Sequence, residues 1–246
     1  MNEVDVAVAL ESAGIRADAA LRLADYCAGL LEANAAVNLS AARTPAAVLD
    51  HLVDSLTLAA YVRGPIADIG SGGGFPAIPL AIVTGEPVLL VEAVGKKAAY
   101  LQAQCARLSV DATVVTGRAE SIAHDERYRG RFLTATARAV GSATEVLELT
   151  LPFLAVGGVA LLQRGREVSG ERNAIADAAL VLGGEALPEI MLDGERRIIR
   201  VAKTALTGPR FPRRVGVPAR RPLCVAAEPA GAKADRSSTE LVRPGH

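Results

Sequence analysis

The sequence predicts an α/β fold with a Rossmann-like, doubly wound and mostly parallel sheet. From Pro65 onward, short apolar runs alternate with helical stretches, which is the pattern of βαβ units. The first of these runs, Ile66 to Ile69, leads directly into a glycine-rich turn. Half of the residues are hydrophobic, only 3% are aromatic and tryptophan is absent, so the core must consist of Ala, Val, Leu and Ile. Such a composition suits parallel strands covered by alanine-rich helices.

Residues 1–62 are predicted to form an N-terminal helical extension. Residues 3–33 contain two helices rich in Ala and Leu, interrupted near Gly14. Thr44 and Pro45 have the N-cap and N1 chemistry that starts a third helix, which we expect to run to about Tyr61.

Residues 63–224 are predicted to form the sheet domain. Helices are expected to begin at Pro76, Lys96 and Thr144, and the apolar runs between them predict strands over residues 66–69, 88–91, 113–115, 132–137 and 159–163. Residues 197–202 predict a late strand, with which residues 189–192 are expected to pair. Residues 225–246 have too little apolar content to fold, and we expect them to be a disordered tail.

The formal net charge is zero, which argues against a protein that coats nucleic acid by bulk charge. The charge is nevertheless uneven, because residues 196–221 contain nine Arg or Lys and no Asp or Glu. Residues 196–222 contain four prolines, which predict a basic arm that is stiff and extended in its latter part and suited to the phosphates of structured RNA. The candidate RNA contacts are Arg196, Arg197, Arg213, Arg214, Arg220 and Arg221.

The three cysteines are isolated and far apart, which predicts neither a disulfide framework nor a metal-binding pair. We therefore expect a cytoplasmic protein without a metal. Acidic residues stand where a secretory signal would be basic, and the apolar stretch from Leu149 to Leu162 is broken by Pro152 and two glycines, so no membrane association is expected. We expect the protein to be a monomer.

The glycine-rich turn has the pattern Asp68-x-Gly70-x-Gly72-x-Gly74 and is typical of a nucleoside cofactor site. Glu92, at the end of the second predicted strand, has the position of a carboxylate that accepts hydrogen bonds from both ribose hydroxyls. Asp68 favours a cationic amino-acid moiety, because an acid there would repel a pyrophosphate. S-adenosylmethionine is the favoured cofactor, and the predicted contacts also include Ser71, Phe75, Ala93, Ala119, Glu120 and Arg138.

Two alternatives to this cofactor remain open. The stretch Gly72-x-Gly74-x-x-Ala77 also satisfies the relaxed fingerprint of a dinucleotide site, which would indicate an oxidoreductase. The glycines would also fit a tight strand-to-helix connection without any ligand.

The segment after the fourth strand limits the chemistry. It lacks the Asn/Asp-Pro-Pro-aromatic motif of exocyclic amine methylation, and no cysteine is close in sequence to serve as a nucleophile. A ring nitrogen with an in-plane lone pair, such as guanine N7, needs neither. Arg138 could donate to guanine O6 or to a phosphate. His51, Asp54 and Ser55 share one face of their helix and are expected to form a polar pocket wall or a helix-packing network.

Several motifs occur in a characteristic order from about residue 30 to residue 223. They are Asn38-Leu-Ser40, His51-Leu-Val-Asp-Ser55, Asp68-Ile-Gly-Ser-Gly-Gly-Gly-Phe-Pro-Ala-Ile-Pro79, Glu92 with Gly95-Lys-Lys97, Gly117-Arg-Ala-Glu120, Ala137-Arg-Ala139, Leu192-Asp-Gly-Glu-Arg196, Pro212-Arg-Arg-Val-Gly-Val-Pro218 and Arg221-Pro-Leu223. Together they resemble the bacterial ribosomal RNA small subunit methyltransferase G family (RsmG), also called glucose-inhibited division protein B.

The resemblance implies a class I S-adenosylmethionine-dependent methyltransferase fold with an N-terminal helical extension. It also implies methylation of N7 of one guanine in 16S rRNA by direct displacement, with 16S rRNA or the small ribosomal subunit as partner. The implied cofactor contacts are Gly70, Gly72, Gly74, Glu92, Ala119 and Glu120. The implied lining of the methyl-transfer pocket is Asn38, His51, Ser55 and Arg138.

The chain departs from the family pattern at several positions. Leu133 stands where an Asp usually opens the fourth strand, and Phe75 and Ala77 replace a common Leu and Gly. If the usual Asp supports the substrate loop, its loss would leave a non-catalytic rRNA-binding or assembly factor as the alternative function.

Overall fold

The computed structural model describes residues 2–138, 141–165, 171–193 and 195–223. The strands are β1 (Ile66–Ile69), β2 (Val88–Glu92), β3 (Ala112–Thr116), β4 (Phe132–Ala137), β5 (Leu154–Arg164), β6 (Gly184–Met191) and β7 (Arg197–Lys203). The helices are α1 (Glu3–Ser12), α2 (Ala17–Val37), α3 (Pro45–Leu56), α4 (Ala77–Thr84), α5 (Gly95–Arg107), α6 (Ala119–Ile122), α7 (Ala143–Thr150), α8 (Glu171–Val181) and α9 (Val217–Arg220), with 3-10 turns at Ala59–Tyr61 and Leu151–Phe153.

The strands form one sheet in the order β3-β2-β1-β4-β5-β7-β6. The first five in this order run parallel, and β7 is antiparallel to both of its neighbours. All residues of β1 and β2 are buried, as expected for apolar strands with helices on both faces. The chain reverses direction across the sheet between β1 and β4, and the carboxyl ends of the strands at such a switch point form a ligand-binding crevice.

The predicted strands and the mostly parallel sheet are confirmed. The first two helices are separated at Gly14, whose φ of +88° suits glycine. The third helix ends at Leu56, before the predicted end at Tyr61, and a 3-10 turn follows. Helix α8 was not predicted, because its alanine-rich sequence has no clear apolar stripe. Cys224 and residues 225–246 lie outside the described residues, as do Ala139 and Gly194 of the quoted motifs.

The N-terminal helices share a hydrophobic core with one face of the sheet. Leu23 and Leu30 of α2 and Leu52 of α3 are fully buried in the same cluster as Ile78 of α4 and Leu101 of α5. The helical extension therefore packs directly behind the glycine-rich turn.

Candidate active site

Two adjoining cavities lie at the carboxyl ends of β1, β2 and β4. The larger has a volume of about 400 Å³ and is lined by Leu39, Ser40, Ala41, His51, Gly70, Ser71, Gly72, Gly73, Phe75, Glu92, Lys97 and Arg138. The smaller has a volume of about 220 Å³ and is lined by Ile69, Gly70, Val91, Glu92, Ala93, Val94, Gly117, Arg118, Ala119, Glu120 and Leu149. Gly70 and Glu92 line both cavities, so the two cavities form one elongated site.

The glycine-rich loop between β1 and α4 adopts backbone conformations that only glycine takes without strain. Gly70, Gly72 and Gly74 have φ values of +74°, +54° and +101°. At Gly74 a Cβ atom would also come within 2.5 Å of Ile78 Cδ1. The predicted need for glycine at these three positions therefore has a backbone cause.

Glu92 ends β2 and is 7% exposed. Its Oε2 accepts a hydrogen bond from Gly72 N at 2.8 Å, and its Oε1 accepts one from Val94 N at 2.8 Å. Each carboxylate oxygen has two lone pairs, so the group keeps acceptor capacity toward the cavity. Glu92 can thus fix the loop and still accept hydrogen bonds from a bound molecule.

Asp68 is fully buried beneath the loop. Its Oδ1 accepts a hydrogen bond from the Thr136 hydroxyl at 2.7 Å, while Oδ2 is buried without a partner. Burial raises the pKa of Asp68 to about 7, although hydrogen bonds from Thr136 and Ser71 oppose the shift. Asp68 lines neither cavity, and its unpartnered oxygen is the feature that suits a cationic partner.

Arg138, directly after β4, forms the opposite side of the larger cavity. Its Nη2 lies 2.6 Å from His51 Nδ1, and its Nη1 lies 3.4 Å from Ser55 Oγ and 3.6 Å from Asp54 Oδ2. The guanidinium also lies over the Phe75 ring, 5.5 Å from its centroid. The polar helix face predicted for residues 51–55 therefore holds Arg138 in place.

His51 acts as an acceptor in this network. Because a guanidinium only donates hydrogen bonds, His51 Nδ1 must be the unprotonated ring nitrogen. Burial lowers the pKa of His51 below its usual value, and the positive charge of Arg138 lowers it further. The imidazole is therefore neutral at pH 7.

Asn38 differs from its predicted place in the pocket wall. It ends α2 in the left-handed conformation, is exposed, and its Oδ1 accepts a hydrogen bond from Arg43 at 2.8 Å. The next three residues, Leu39, Ser40 and Ala41, line the cavity instead. Asn38 is instead the left-handed cap of α2, with its side chain bonded to Arg43.

The predicted adenine-binding segment lines the smaller cavity. Ala119 and Glu120 open the short helix α6, and Ala93 faces them from the end of β2. Glu120 is 4% exposed; its Oε1 accepts a hydrogen bond from Gly216 N at 2.9 Å, and its Oε2 is buried without a partner. Burial alone would raise the pKa of Glu120, but hydrogen bonds, chiefly the one from Gly216, lower it.

The basic arm is not a free, extended segment. Arg197 lies in β7, is 1% exposed and forms ion pairs with Glu171 and Glu189, so its predicted contact with RNA is wrong. Arg213 binds Glu148, a fully buried carboxylate, with Nη2 and Oε2 2.6 Å apart. The charge count misled the prediction, because the partner acids come from other elements.

The other four predicted RNA contacts remain at the surface. The side chain of Arg196 is 43% exposed and donates to Asp54 Oδ1 at 2.9 Å, which places it beside the Arg138 network. The remaining three lie in the turn before α9 and at its end, and all are exposed: Arg214, Arg220 and Arg221.

Asn34 and Lys97 belong to the site and were not among the predicted site residues. Asn34 is 3% exposed and holds the loop after α2: its Nδ2 donates to Ser40 O and Ala42 O, and its Oδ1 accepts from Leu39 N. A polar residue one turn after the core residue Leu30 was the available signal. Lys97 lines the larger cavity, and its signal was the pair of lysines in the first turn of α5.

Leu133 does not touch the substrate side of the site. It lies near the start of β4, where its backbone N–H donates to Pro65 O at 3.0 Å. Arg138 follows the other end of the same strand, about 16 Å away for five extended residues. The unusual residue at position 133 is therefore separated from the substrate loop.

Comparison with known proteins agrees with this geometry. The family model for rRNA small subunit methyltransferase G matches residues 20–199. Curated proteins named ribosomal RNA small subunit methyltransferase G are 40% identical over 210 residues in Synechococcus elongatus, covering 79% of this chain and 86% of the relative, and 41% identical over 209 residues in Chloroflexus aggregans, covering 80% and 87%.

Solved structures confirm the class I methyltransferase fold. An O-methyltransferase from Bacillus cereus in complex with SAH has a TM-score of 0.52 and 22% identity, over 73% of this chain and 91% of that one. A methyltransferase from Pyrococcus furiosus has a TM-score of 0.52 and 17% identity, over 71% and 93%. In the part of the chain that the structure describes, no helix is long and apolar enough to cross a membrane. With the family model matching most of its length and relatives at about 40% identity, the chain belongs to the rRNA small subunit methyltransferase G family.

Proposed function

We propose that this protein transfers a methyl group from S-adenosylmethionine to N7 of one guanine in 16S rRNA. Family membership makes the chain an rRNA small subunit methyltransferase. The observation that carries the proposal is the larger cavity, which is lined by the glycine-rich loop and Glu92 on one side and by Arg138 and His51 on the other. A methyl donor and its acceptor must meet in one such space.

The residues present fit S-adenosylmethionine. When bound, it supplies a methyl group activated by a positively charged sulfur. We assign Glu92 to the ribose hydroxyls, the backbone of Ala119 and Glu120 to the adenine, and Asp68 to the cationic methionine end. The support for these roles is the spare acceptor capacity of the Glu92 carboxylate and the unpartnered Asp68 oxygen.

The substrate side of the cavity is suited to holding a base rather than activating it. Guanine N7 already has an in-plane lone pair, so its methylation needs no general base and no enzyme nucleophile. Neutral His51 is already engaged by Arg138, and both Cys27 and Cys105 are buried outside the cavity lining. Arg138 would then donate to guanine O6 or to a phosphate, while direct displacement completes the transfer.

We assign RNA binding to the exposed arginines around this opening. Arg196 shares Asp54 with Arg138, so an RNA phosphate at Arg196 would lie next to the substrate pocket. Arg213 fixes the start of the C-terminal turn on Glu148, and the neighbouring Arg214 projects from it as an exposed side chain. We further propose that the protein works in the cytoplasm and is a monomer. Light scattering of the purified chain would check the monomeric state.

The test is a measurement of 7-methylguanosine in 16S rRNA. RNA from cells with the protein, without it, and with only the Arg138→Ala variant is digested and analysed by mass spectrometry. We expect one 7-methylguanosine per 16S rRNA that is present only with the unaltered protein. Equal 7-methylguanosine in all three samples would overturn the proposed reaction, and a different methylated nucleoside would overturn N7 as its target.

A further inference from the structure

Tyr26 of α2 reaches the rear of the glycine-rich loop. Its side chain is fully buried, and its hydroxyl donates a hydrogen bond to Gly73 O at 2.7 Å. Gly73 is itself buried and packs against Leu30, the residue one turn further along the same helix. A single phenol from the helical extension thus satisfies a buried carbonyl in the middle of the loop.

The same loop is held from the opposite side by Glu92, through Gly72 N. The peptide between the Tyr26 bond and the Glu92 bond is therefore fixed at both ends. A close bond from Gly74 N to Ser71 O, at 2.6 Å, completes the turn. The direction of the remaining loop N–H groups depends on these three hydrogen bonds.

Tyr26 also touches the substrate side through one aromatic neighbour. Its ring packs edge-on against Phe75, with centroids 5.3 Å apart. Phe75 in turn contacts the His51 ring at 5.6 Å and lies under the Arg138 guanidinium at 5.5 Å. One buried side chain therefore contacts the cofactor loop through its hydroxyl and supports the Arg138 pocket through its ring.

We propose that Tyr26 is a positioning residue for methyl transfer, whose hydroxyl sets the glycine-rich loop and whose ring sets Phe75 beneath Arg138. The helical extension is then part of the catalytic machinery in addition to being a packing layer. This inference rests on the proposed function, because it assigns two separable effects to the two sides of the cavity.

Two substitutions at Tyr26 separate these effects. Tyr26→Phe removes only the hydroxyl and leaves Gly73 O without its donor, so we expect the Kd for S-adenosylmethionine to rise about fivefold to thirtyfold. Tyr26→Leu also removes the ring beneath Phe75, so we expect the single-turnover rate constant of rRNA methylation to fall further, by about tenfold relative to Tyr26→Phe. Titration calorimetry gives the Kd, and single-turnover methylation gives the rate.

The matched control is Tyr100→Phe in the neighbouring helix α5. Its hydroxyl accepts a hydrogen bond at 3.2 Å from Gln104 Nε2, the group that also donates to the Tyr26 backbone carbonyl at 3.4 Å, and no hydrogen bond among the described residues joins it to the loop. We expect this variant to keep the Kd of the unaltered protein whatever thermal stability it loses. Thermal unfolding without ligand confirms that every variant is folded at the assay temperature.

The outcomes distinguish this inference from the proposed function. If Tyr26→Phe binds S-adenosylmethionine as tightly as the unaltered protein, Tyr26 is only a core residue and the inference is overturned. A change in the Kd that Tyr100→Phe shows equally would also overturn it, since both would then act through general stability. If the unaltered protein does not bind S-adenosylmethionine at all, the proposed function fails instead.

Discussion

The substitution Glu92→Gln tests the cofactor site most directly. In the structure both carboxylate oxygens accept backbone N–H groups, from Gly72 and from Val94. The amide of glutamine keeps one acceptor oxygen and turns an NH₂ donor toward the other N–H group. Glutamine also has no charge with which to accept from the ribose hydroxyls. Loss of that charge-assisted hydrogen bond from the complex costs about 1.5–3 kcal/mol, so the Kd for S-adenosylmethionine should rise about tenfold to a hundredfold.

Titration calorimetry measures this change, with Glu86→Gln as the control. Glu86 precedes the amino end of β2, whereas Glu92 lies at its carboxyl end. Its substitution therefore makes the same change in net charge away from the cavity. Thermal unfolding of the free variants shows whether the glycine-rich loop is still held. An unaltered Kd for Glu92→Gln would refute the ribose assignment and leave Glu92 as a loop cap alone.

Three further predictions concern the other side chains of the site. Arg138→Lys keeps the charge but loses the fork that spans His51 and Ser55. The methylation rate constant in a single-turnover assay should therefore fall about tenfold to a hundredfold. An unchanged rate constant would exclude a positioning role for Arg138. Because burial raises the pKa of Asp68 to about 7, its carboxylate becomes protonated as the pH falls through 7, and the Kd for S-adenosylmethionine should rise about fivefold between pH 7 and pH 6. Asp68→Asn should abolish this pH dependence. A Kd that does not change with pH in the unaltered protein would contradict the role of Asp68. Charge reversal of the exposed Arg214, Arg220 and Arg221 should weaken rRNA binding and make it less dependent on salt, with cofactor affinity unchanged. If the variant binds rRNA with the affinity and salt dependence of the unaltered protein, these residues are not part of the interface.

The fold was predictable where local chemistry and periodicity agree. Thr44 caps α3 through its side chain, Pro45 takes the first helical position, and the apolar runs from Ile66 onward form the strands. The end of α3 was not predictable, because a 3-10 turn follows it and the apolar residues continue through that turn. Helix α8 was missed because its alanine-rich sequence has no clear apolar stripe. Alanine favours helices but contributes little to an amphipathic pattern.

The site was predictable where a backbone constraint selects the residue. The loop glycines needed positive φ values, and Glu92 followed from its place at the end of the second strand. The ion pairs of Arg197 and Arg213 were not predictable, since their partner acids approach from distant segments of the chain. Tyr26 was equally hidden, because a tyrosine in an apolar helix face looks like a core residue until its hydroxyl meets Gly73 O.

The two sides of the cavity differ in charge, and this difference suits the two reactants. The side of the glycine-rich loop has three buried carboxylates, Asp68, Glu92 and Glu120, of which Asp68 and Glu120 each keep an unpartnered oxygen. Two cations also lie there: Lys97 lines the larger cavity, and Arg118 is paired with Glu120 at 3.2 Å. The substrate side has Arg138, with Arg196 beside it. A cationic methyl donor and an anionic RNA would each be attracted to its own side and repelled from the other. The proposed binding of a polyanion and a cation by a chain with zero formal net charge therefore depends on how its charges are distributed around this opening.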